Sequence, residues 1–314
     1  MLLIAASVTL YLGRQYVVDH ASMWSFQPSQ GISAINDQLD LTYRGQLYFY
    51  TAHPELNTAN EFNVNCPRVE LNNPILGCLH GDRIYIYDIE NGKLDGIEEV
   101  TAAHEMLHVA WQRLSDDERQ HLGKLLHAEQ EKITDKAFKE RMEYYERNEP
   151  GQFFNELHSI IGTEVSDISD ELEEYYKKYF NDRQAVVALY ENYSSVFENL
   201  LNQSEDLAAK IKASGQNLTP RIGQYQRDVE ALSDSIDHFN YRASEGDFDS
   251  MNQFYQERSN LVYRSNQLSL VQQQLDADIR TYNQLIDQYN SLAIQLESLH
   301  QSLDSLEGTA VPSL

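Results

Sequence analysis

A histidine pair with an adjacent glutamate is the strongest chemical feature of this sequence, because His104-Glu105-Met106-Leu107-His108 forms an HExxH pattern. Neutral imidazoles are good zinc ligands, and a spacing of four residues places both rings on one face of a helix. The glutamate after the first histidine then lies within reach of a water at the metal. The pattern predicts a zinc site with His104 and His108 as ligands and Glu105 as the general base.

The residues around the motif predict a helix with the histidines on its buried face. At 100° per residue, the apolar side chains of Ile97, Val100 and Trp111 share the face of His104 and His108. Burying two imidazoles in an apolar stripe is costly unless they have a partner such as a metal ion. Two core histidines satisfied by hydrogen bonds are the alternative interpretation.

A third ligand must come from elsewhere in the chain. The metzincin pattern requires glycine at position 111 and histidine at 114, and Trp111 and Leu114 exclude it. Downstream, Asn155-Glu156-Leu157-His158-Ser159 resembles the NExxS part of the third-ligand helix of thermolysin-like gluzincins. The chain also resembles uncharacterised membrane-anchored bacterial proteins in which HExxH is followed by an ELHxxxGTE segment. The resemblance covers roughly residues 83 to 190.

This resemblance implies a zincin-like metallopeptidase that holds one Zn²⁺ ion and hydrolyses peptide bonds in a peptide or protein substrate. It implies His104, His108 and Glu156 as the metal ligands and Glu105 as the base that moves a proton from water to the leaving amine.

The chain departs from the family pattern after Ser159. The aspartate that orients the first histidine in thermolysin-like enzymes is replaced by Ile160. Glu164 is a candidate for that orienting role, and Glu164 and His158 are also alternative third ligands. The donor that would stabilise the oxyanion stays open among four residues: His158, Tyr175, Tyr176 and Tyr179.

Around the motif we expect an α+β domain over residues 21–182, mostly helical with a small sheet. Gly45–Ala52 and Arg83–Ile89 are rich in Tyr, Ile and Phe and predict strands. The second of these is either an edge strand for an extended peptide or an ordinary core strand. Two capping boxes predict helix starts, one from Asp95 with Glu98 and one from Ser115 with Glu118.

The chain from 183 to 308 has a different pattern. Apolar residues recur at a spacing of three and four over many heptads, which predicts a long antiparallel coiled-coil helical hairpin. The turn is expected at Ala243–Ser250 and the return helix from about 250 to 306. Thr219 and Pro220 predict a break and a new helix start in the outgoing arm. The hairpin is expected to bind an unknown protein partner, and residues 309–314 form a tail.

The N-terminal segment, residues 1–20, is predicted to be a membrane anchor or a signal. Met1–Gly13 is uncharged and mostly apolar, and Arg14 closes the run. This predicts a cell-membrane protein with an extracytoplasmic domain, or a secreted one if the segment is cleaved. In that oxidising compartment Cys66 and Cys78 are candidates for a disulfide.

The charge balance excludes whole classes of partner. With 24 basic and 49 acidic residues the net charge is −25, which opposes nucleic-acid binding and polybasic membrane docking. It favours neutral or basic peptides as substrates. Two further hypotheses are a docking protein with an inactive metal-binding domain and a hydrolase of non-peptide amides.

Overall fold

The computed structural model describes residues 14–67 and 74–306. The anchor predicted at 1–20 lies outside the described residues up to position 13, and so does the predicted tail at 309–314. Two units emerge from the packing: the first is Met1–Glu198 with Ser298–Leu314, and the second is Asn199–Glu297. In the described part of the chain, no helix combines the length and the apolar character that crossing a membrane requires.

The first unit is mostly helical. Its helices in the described residues are α1 (Arg14–Ser25), α2 (Gln30–Leu39), α3 (Tyr43–Thr51), α4 (Ala59–Asn65), α5 (Ile97–Gln112), α6 (Asp116–Gln130), α7 (Lys136–Asn148), α8 (Phe153–Glu164) and α9 (Asp170–Tyr176). The HExxH helix α5 lies at the centre of this unit and packs against α2, α3, α8 and the sheet. An α+β fold with a mostly helical domain is therefore confirmed.

A three-stranded sheet covers one side of α5. Its strands are β1 (Glu55–Asn57), β2 (Gly77–His80) and β3 (Arg83–Tyr87), in the order β1-β3-β2. β1 runs parallel to β3 and β2 runs antiparallel to it. The strand predicted at Arg83–Ile89 is confirmed, but the edge-strand interpretation is wrong. β3 is paired on both sides, and its Ile84 and Ile86 side chains lie in the core.

The strand predicted at Gly45–Ala52 is wrong, because this segment belongs to helix α3. Thr42 caps the helix, and its hydroxyl accepts a hydrogen bond from the Gly45 amide at 3.2 Å. A Cβ on Gly45 would lie 2.3 Å from the carbonyl oxygen of Tyr179, so the close packing at this point requires glycine. Capping and tertiary packing outweigh the β propensity of the aromatic residues in the segment.

Only one of the two predicted capping boxes forms. Ser115 and Glu118 cap α6 as predicted. The box predicted from Asp95 and Glu98 is wrong, since the N-cap of α5 is Gly96 with φ 94°. Glu98 instead accepts a hydrogen bond from the amide of Ile89 at 2.7 Å, which ties the end of the sheet to the start of α5.

Two long helices, α10 (Arg183–Glu245) and α11 (Met251–Leu303), form the predicted helix pair. Within the second unit they run antiparallel: Arg221 pairs with Asp278 at 2.7 Å and, nearer the turn, Arg242 pairs with Glu257 at 2.8 Å. The turn lies at Gly246, whose φ is 69°.

The helix break predicted at Thr219 and Pro220 is wrong, because α10 continues through the proline. The Thr219 hydroxyl donates to the carbonyl of Gly215 at 2.9 Å and does not cap a new helix. One missing backbone hydrogen bond is tolerated here because α10 meets α11 on both sides of Pro220: Gly215 lies beside Tyr282, and Arg221 pairs with Asp278.

Candidate metal centre

The two histidines of the motif lie on the same face of α5. Their ring centroids are 4.7 Å apart and the rings are nearly perpendicular, at 88°. His108 is buried and His104 is partly exposed. Both Nε2 atoms face helix α8, which packs directly against α5.

Glu156 of α8 brings its carboxylate between the two imidazoles. His104 Nε2 lies 3.5 Å from Oε2, and His108 Nε2 lies 3.4 Å from Oε1. The potential ligand atoms of the three residues all lie within 4.8 Å of one another. Donor atoms that share a tetrahedral zinc ion at 2.0–2.1 Å are separated by about 3.3 Å. These distances are long for hydrogen bonds, and they fit ligands of one cation.

The groups around Glu156 keep its carboxylate ionised. Burial alone would raise the pKa of Glu156, but the electrostatic influence of His108 and His104 and a hydrogen bond from Tyr145 bring it down to about 2. An ionised carboxylate and two imidazoles are the ligand set of many catalytic zinc sites. The described residues therefore fit a zinc ion.

His108 is oriented by two side chains of α8. Its Nδ1 lies 3.0 Å from the Asn155 Oδ1 and 3.1 Å from the Ser159 Oγ. The amide nitrogen of Asn155 donates to Gln152, which turns the Asn155 oxygen towards the imidazole. This arrangement fits the tautomer with hydrogen on Nδ1, which leaves the Nε2 lone pair for a metal.

Neither Asn155 nor Ser159 was predicted to orient His108, although both lie in the NELHS segment. The residue predicted to orient the first histidine was Glu164, because the family's orienting position is occupied by Ile160, which is buried in the core. Spacing alone could have found them, because residues one before and three after Glu156 flank it on the same helix.

Tyr145 of α7 was also missed. Its hydroxyl donates a hydrogen bond to Glu156. Burial raises the pKa of Tyr145, and the neighbouring Glu156 charge raises it further, so the phenol stays protonated. Nothing in the local sequence marks Tyr145, since the contact depends on how α7 packs against α8.

Glu105 lies beside the candidate metal ligands and is only 5% exposed. Strand β2 covers Glu105, and the Leu79 amide donates to its carboxylate. Burial raises the pKa of Glu105 to about 7, with His108 opposing the rise and Glu156 adding to it. Gly77 permits this approach, because a Cβ there would lie 2.9 Å from the Glu105 Cγ.

Glu164 is not brought to the histidines. Its carboxylate pairs with Arg141 of α7, at 2.5 Å from Nη2 and 3.2 Å from Nη1. Neither the ligand role nor the orienting role suggested for Glu164 agrees with this position.

His158 is fully buried beneath the ligand set. Its Nε2 lies 3.1 Å from the Tyr175 hydroxyl, so the alternative of His158 as third ligand does not agree with the geometry. Burial lowers the pKa of His158 to about 3, helped by the charges of His108 and His104. Its Nδ1 has no hydrogen-bond partner among the described residues.

The tyrosines suggested as oxyanion donors are engaged in the core. Tyr176 is fully buried and donates to the backbone oxygen of His158 at 2.7 Å. The hydroxyls of Tyr175 and Tyr179 lie 3.2 Å apart. The Tyr145 hydroxyl, by contrast, donates to Glu156, a member of the candidate ligand set.

A disulfide braces the strand that covers Glu105. Cys66, at the end of α4, is joined to Cys78 of β2, with a Cα–Cα distance of 5.9 Å. Cys78 lies between Gly77 and Leu79, the two residues of β2 that contact Glu105. The bridge therefore restrains this strand directly beside the candidate base.

An apolar pocket lies one helical turn beyond His108. Trp111, Phe154 and Gly123 of α6 line it. Arg119, Lys124 and His127 contribute its basic lining.

We compared the chain with known protein families, curated proteins and solved structures. No family model, curated protein or solved structure matches the chain. Its function must therefore be inferred from the chemistry of its own residues, beginning with His104, His108 and Glu156.

Proposed function

We propose that this chain is a zinc-dependent peptidase of the gluzincin type, held outside the cytoplasm by an N-terminal membrane anchor. One observation carries the proposal: each histidine Nε2 lies 3.4–3.5 Å from the Glu156 carboxylate, and the potential ligand atoms of His104, His108 and Glu156 all lie within 4.8 Å of one another. The buried carboxylate of Glu105 lies beside them, as a general base requires.

Each residue of the site has a defined task in this proposal. A bound zinc ion would supply Lewis acidity towards water and the scissile carbonyl. Glu105 accepts a proton from the attacking water and delivers it to the leaving amine, and a pKa near 7 suits both transfers at neutral pH. The Leu79 amide holds the Glu105 carboxylate in place, while Tyr145 holds Glu156.

The surroundings of the site support a peptide substrate. β2 is an edge strand next to α5, so an extended peptide could add to its outer side by main-chain hydrogen bonds. The pocket between Trp111 and Phe154 suits an apolar side chain.

The proposal is tested on the full chain, purified in phosphatidylcholine nanodiscs, by zinc analysis and by mass spectrometry of a peptide library. We expect about one zinc ion per chain and peptide cleavage. Glu105→Gln should keep the zinc and lower the cleavage rate by roughly 10²–10⁴-fold. Glu156→Gln should weaken zinc binding. Glu90 is exposed, so Glu90→Gln is the control and should change neither the zinc content nor the cleavage rate.

Two results would contradict the peptidase proposal. A chain that binds no zinc would exclude it, and so would cleavage that Glu105→Gln leaves unchanged. Zinc binding without peptide turnover would favour a hydrolase of non-peptide amides or a docking protein with an inactive metal-binding domain.

The docking alternative has an observation of its own. The long helices carry exposed apolar residues, including Tyr255, Tyr263, Leu270 and Ile294. Such residues offer a surface to an unknown protein partner, whether or not the metal centre is active.

A further inference from the structure

Helix α1 carries an exposed aromatic face. Tyr16 is 67% exposed and Trp24 is 78% exposed, and Val17 lies between them on the same side of the helix. The His20 ring connects the face to α3, since its centroid lies 4.0 Å from Tyr16 and 6.0 Å from Tyr43. We define the aromatic face as these five residues: Tyr16, Val17, His20, Trp24 and Tyr43.

This face contrasts with the charge of the chain as a whole. The net charge is −25, but α1 contains a single acidic residue, Asp19, and that residue is only 3% exposed. Both Asp19 oxygens accept hydrogen bonds from Arg113, at 3.0 and 2.9 Å. The outward side of α1 therefore presents aromatic rings and Arg14 without a carboxylate.

The same contacts fix how the aromatic face is held. Asp19 also accepts from Gln15 at 2.8 Å and from Thr51 of α3 at 3.3 Å. Ser22 donates to the Thr51 backbone oxygen at 3.0 Å. Arg113 is the C-cap residue of α5, the helix of the candidate metal site, so these contacts fix α1 against that helix.

The sequence before α1 indicates what covers this face. Residues 1–13 contain no charged side chain and are mostly apolar, and they lead directly into Arg14. Tryptophan and tyrosine collect where a membrane meets water, with the ring in the headgroup layer. An acidic surface is repelled by anionic lipids, which favours a zwitterionic bilayer.

We propose that the aromatic face lies in the headgroup layer of a phosphatidylcholine-type bilayer and orients the first unit on the membrane. The inference rests on the membrane attachment proposed above. It adds to the anchor a second membrane contact, made by the folded helix α1. Because Arg113 binds Asp19 of α1, this contact sets the orientation of α5 relative to the bilayer.

The test uses the full chain carrying Trp111→Phe, which leaves Trp24 as its only tryptophan. The protein is reconstituted with phosphatidylcholine vesicles, and flotation reports attachment. Phosphatidylcholine brominated near the headgroup reports the depth of Trp24, because bromine quenches indole emission at short range. We expect Trp24 to lose roughly half of its emission, since the headgroup layer is where such rings lie.

A set of variants separates the face from the anchor. Exchanging Tyr16, Val17 and Tyr43 for serine should reduce the quenching of Trp24 while the protein still floats. Tyr241 of α10 is as exposed as Tyr16, so Tyr241→Ser is the control and should not change the quenching of Trp24.

Three results would overturn the inference. If the chain floats but bromine does not quench Trp24 and acrylamide does, the aromatic face does not contact lipid, and the proposed anchor alone attaches the chain. A chain that does not float excludes both. A lipid-free dimer in which Trp24 is shielded from acrylamide assigns the face to a second copy of the chain.

Discussion

Helix α5 and the long helices of the second unit differ in how much of each helix is covered. α5 is buried on most of its circumference, through residues as different as Val100, Ala103 and Met106. In the second unit, α10 and α11 bury a narrow row of residues: Leu200, Leu218, Leu232, Phe239, Leu275 and Leu292. A helix with neighbours all round holds its side chains in one place, which a metal site requires. A helix with one covered stripe depends more on local helix propensity.

The largest expected effect follows from removing Arg183, the first residue of α10, which is 2% exposed. Its guanidinium donates to the backbone oxygens of Val165 and Ser166 at 2.6 and 3.1 Å and pairs with Glu173 at 2.7 Å. Arg183→Ala removes this buried guanidinium and leaves the Val165 oxygen and the partly buried Glu173 carboxylate without this donor, so the free energy of unfolding should fall by about 3–5 kcal/mol. Urea denaturation followed by tryptophan emission measures the change.

The control is an arginine of the second unit. Arg221 pairs with Asp278 across the helix pair, but both side chains are partly exposed to water. Arg221→Ala should leave the denaturation midpoint unchanged, because water replaces the lost partner. Equal losses from the two substitutions would show that the covered and uncovered regions do not differ as described.

The second effect concerns the contact between α5 and α8. A Cβ on Gly162 would lie 2.5 Å from Leu107 Cδ1 and 2.7 Å from Tyr176 Cε1. Gly162→Ala should therefore destabilise the chain by about 1–3 kcal/mol, although alanine is the better helix former. It should also weaken zinc binding, because α8 holds Glu156. Denaturation measures the change in stability, and a competitive zinc titration measures the change in zinc binding. Unchanged stability would mean that α5 and α8 can move apart enough to accept a methyl group at no cost in free energy.

The sequence predicted the parts of the site that follow one helix and missed those that depend on packing. The HExxH spacing placed His104 and His108 on a shared face, and the resemblance supplied Glu156. Tyr145 reaches Glu156 only because α7 packs against α8, and no local pattern encodes that contact. The burial of Glu105 depends on β2, whose approach is permitted by Gly77.

The fold shows the same division. The long helix pair was predicted from its sustained heptads, since a repeated local pattern determines the structure there. The segment Gly45–Ala52 was assigned to a strand because its aromatic residues favour strands in general. Its N-cap at Thr42 and the close approach of Tyr179 make it a helix, and the second of these is a long-range contact.

A smaller effect is expected from Glu98, which lies half-buried at the start of α5. Burial is the main cause that raises the pKa of Glu98 to about 7. The hydrogen bond from the Ile89 amide lowers this pKa, whereas the charges of Asp88 and Glu99 raise it further. The native state therefore keeps this proton to a higher pH than the unfolded state, whose pKa is near 4.5. The resulting stability is complete below about pH 4.5 and is lost as the pH rises towards 7.

After allowance for solvent screening of a half-buried group, this contribution is about 1–2 kcal/mol. Glu98→Gln can still accept the hydrogen bond from Ile89 and has no proton to lose. The variant should therefore lose less stability than the parent between pH 5 and 7. Denaturation curves across that range measure the slope, and identical slopes would mean that Glu98 does not titrate there.

The smallest effect has the opposite sign and concerns Gly215 of α10. A Cβ there would meet only the ring of Tyr282, at an ordinary contact distance of 3.6 Å. Gly215→Ala should therefore stabilise the second unit by about 0.5–1 kcal/mol, because alanine restricts the unfolded chain and favours the helix. Hydrogen exchange of peptides covering residues 205–225 measures the gain where it arises. The same substitution is expected to destabilise α8 at Gly162, so the pair of variants isolates packing from propensity. Loss of stability at both sites would mean that α10 is closely covered at Gly215 as well, as it would be if a second chain packed against it.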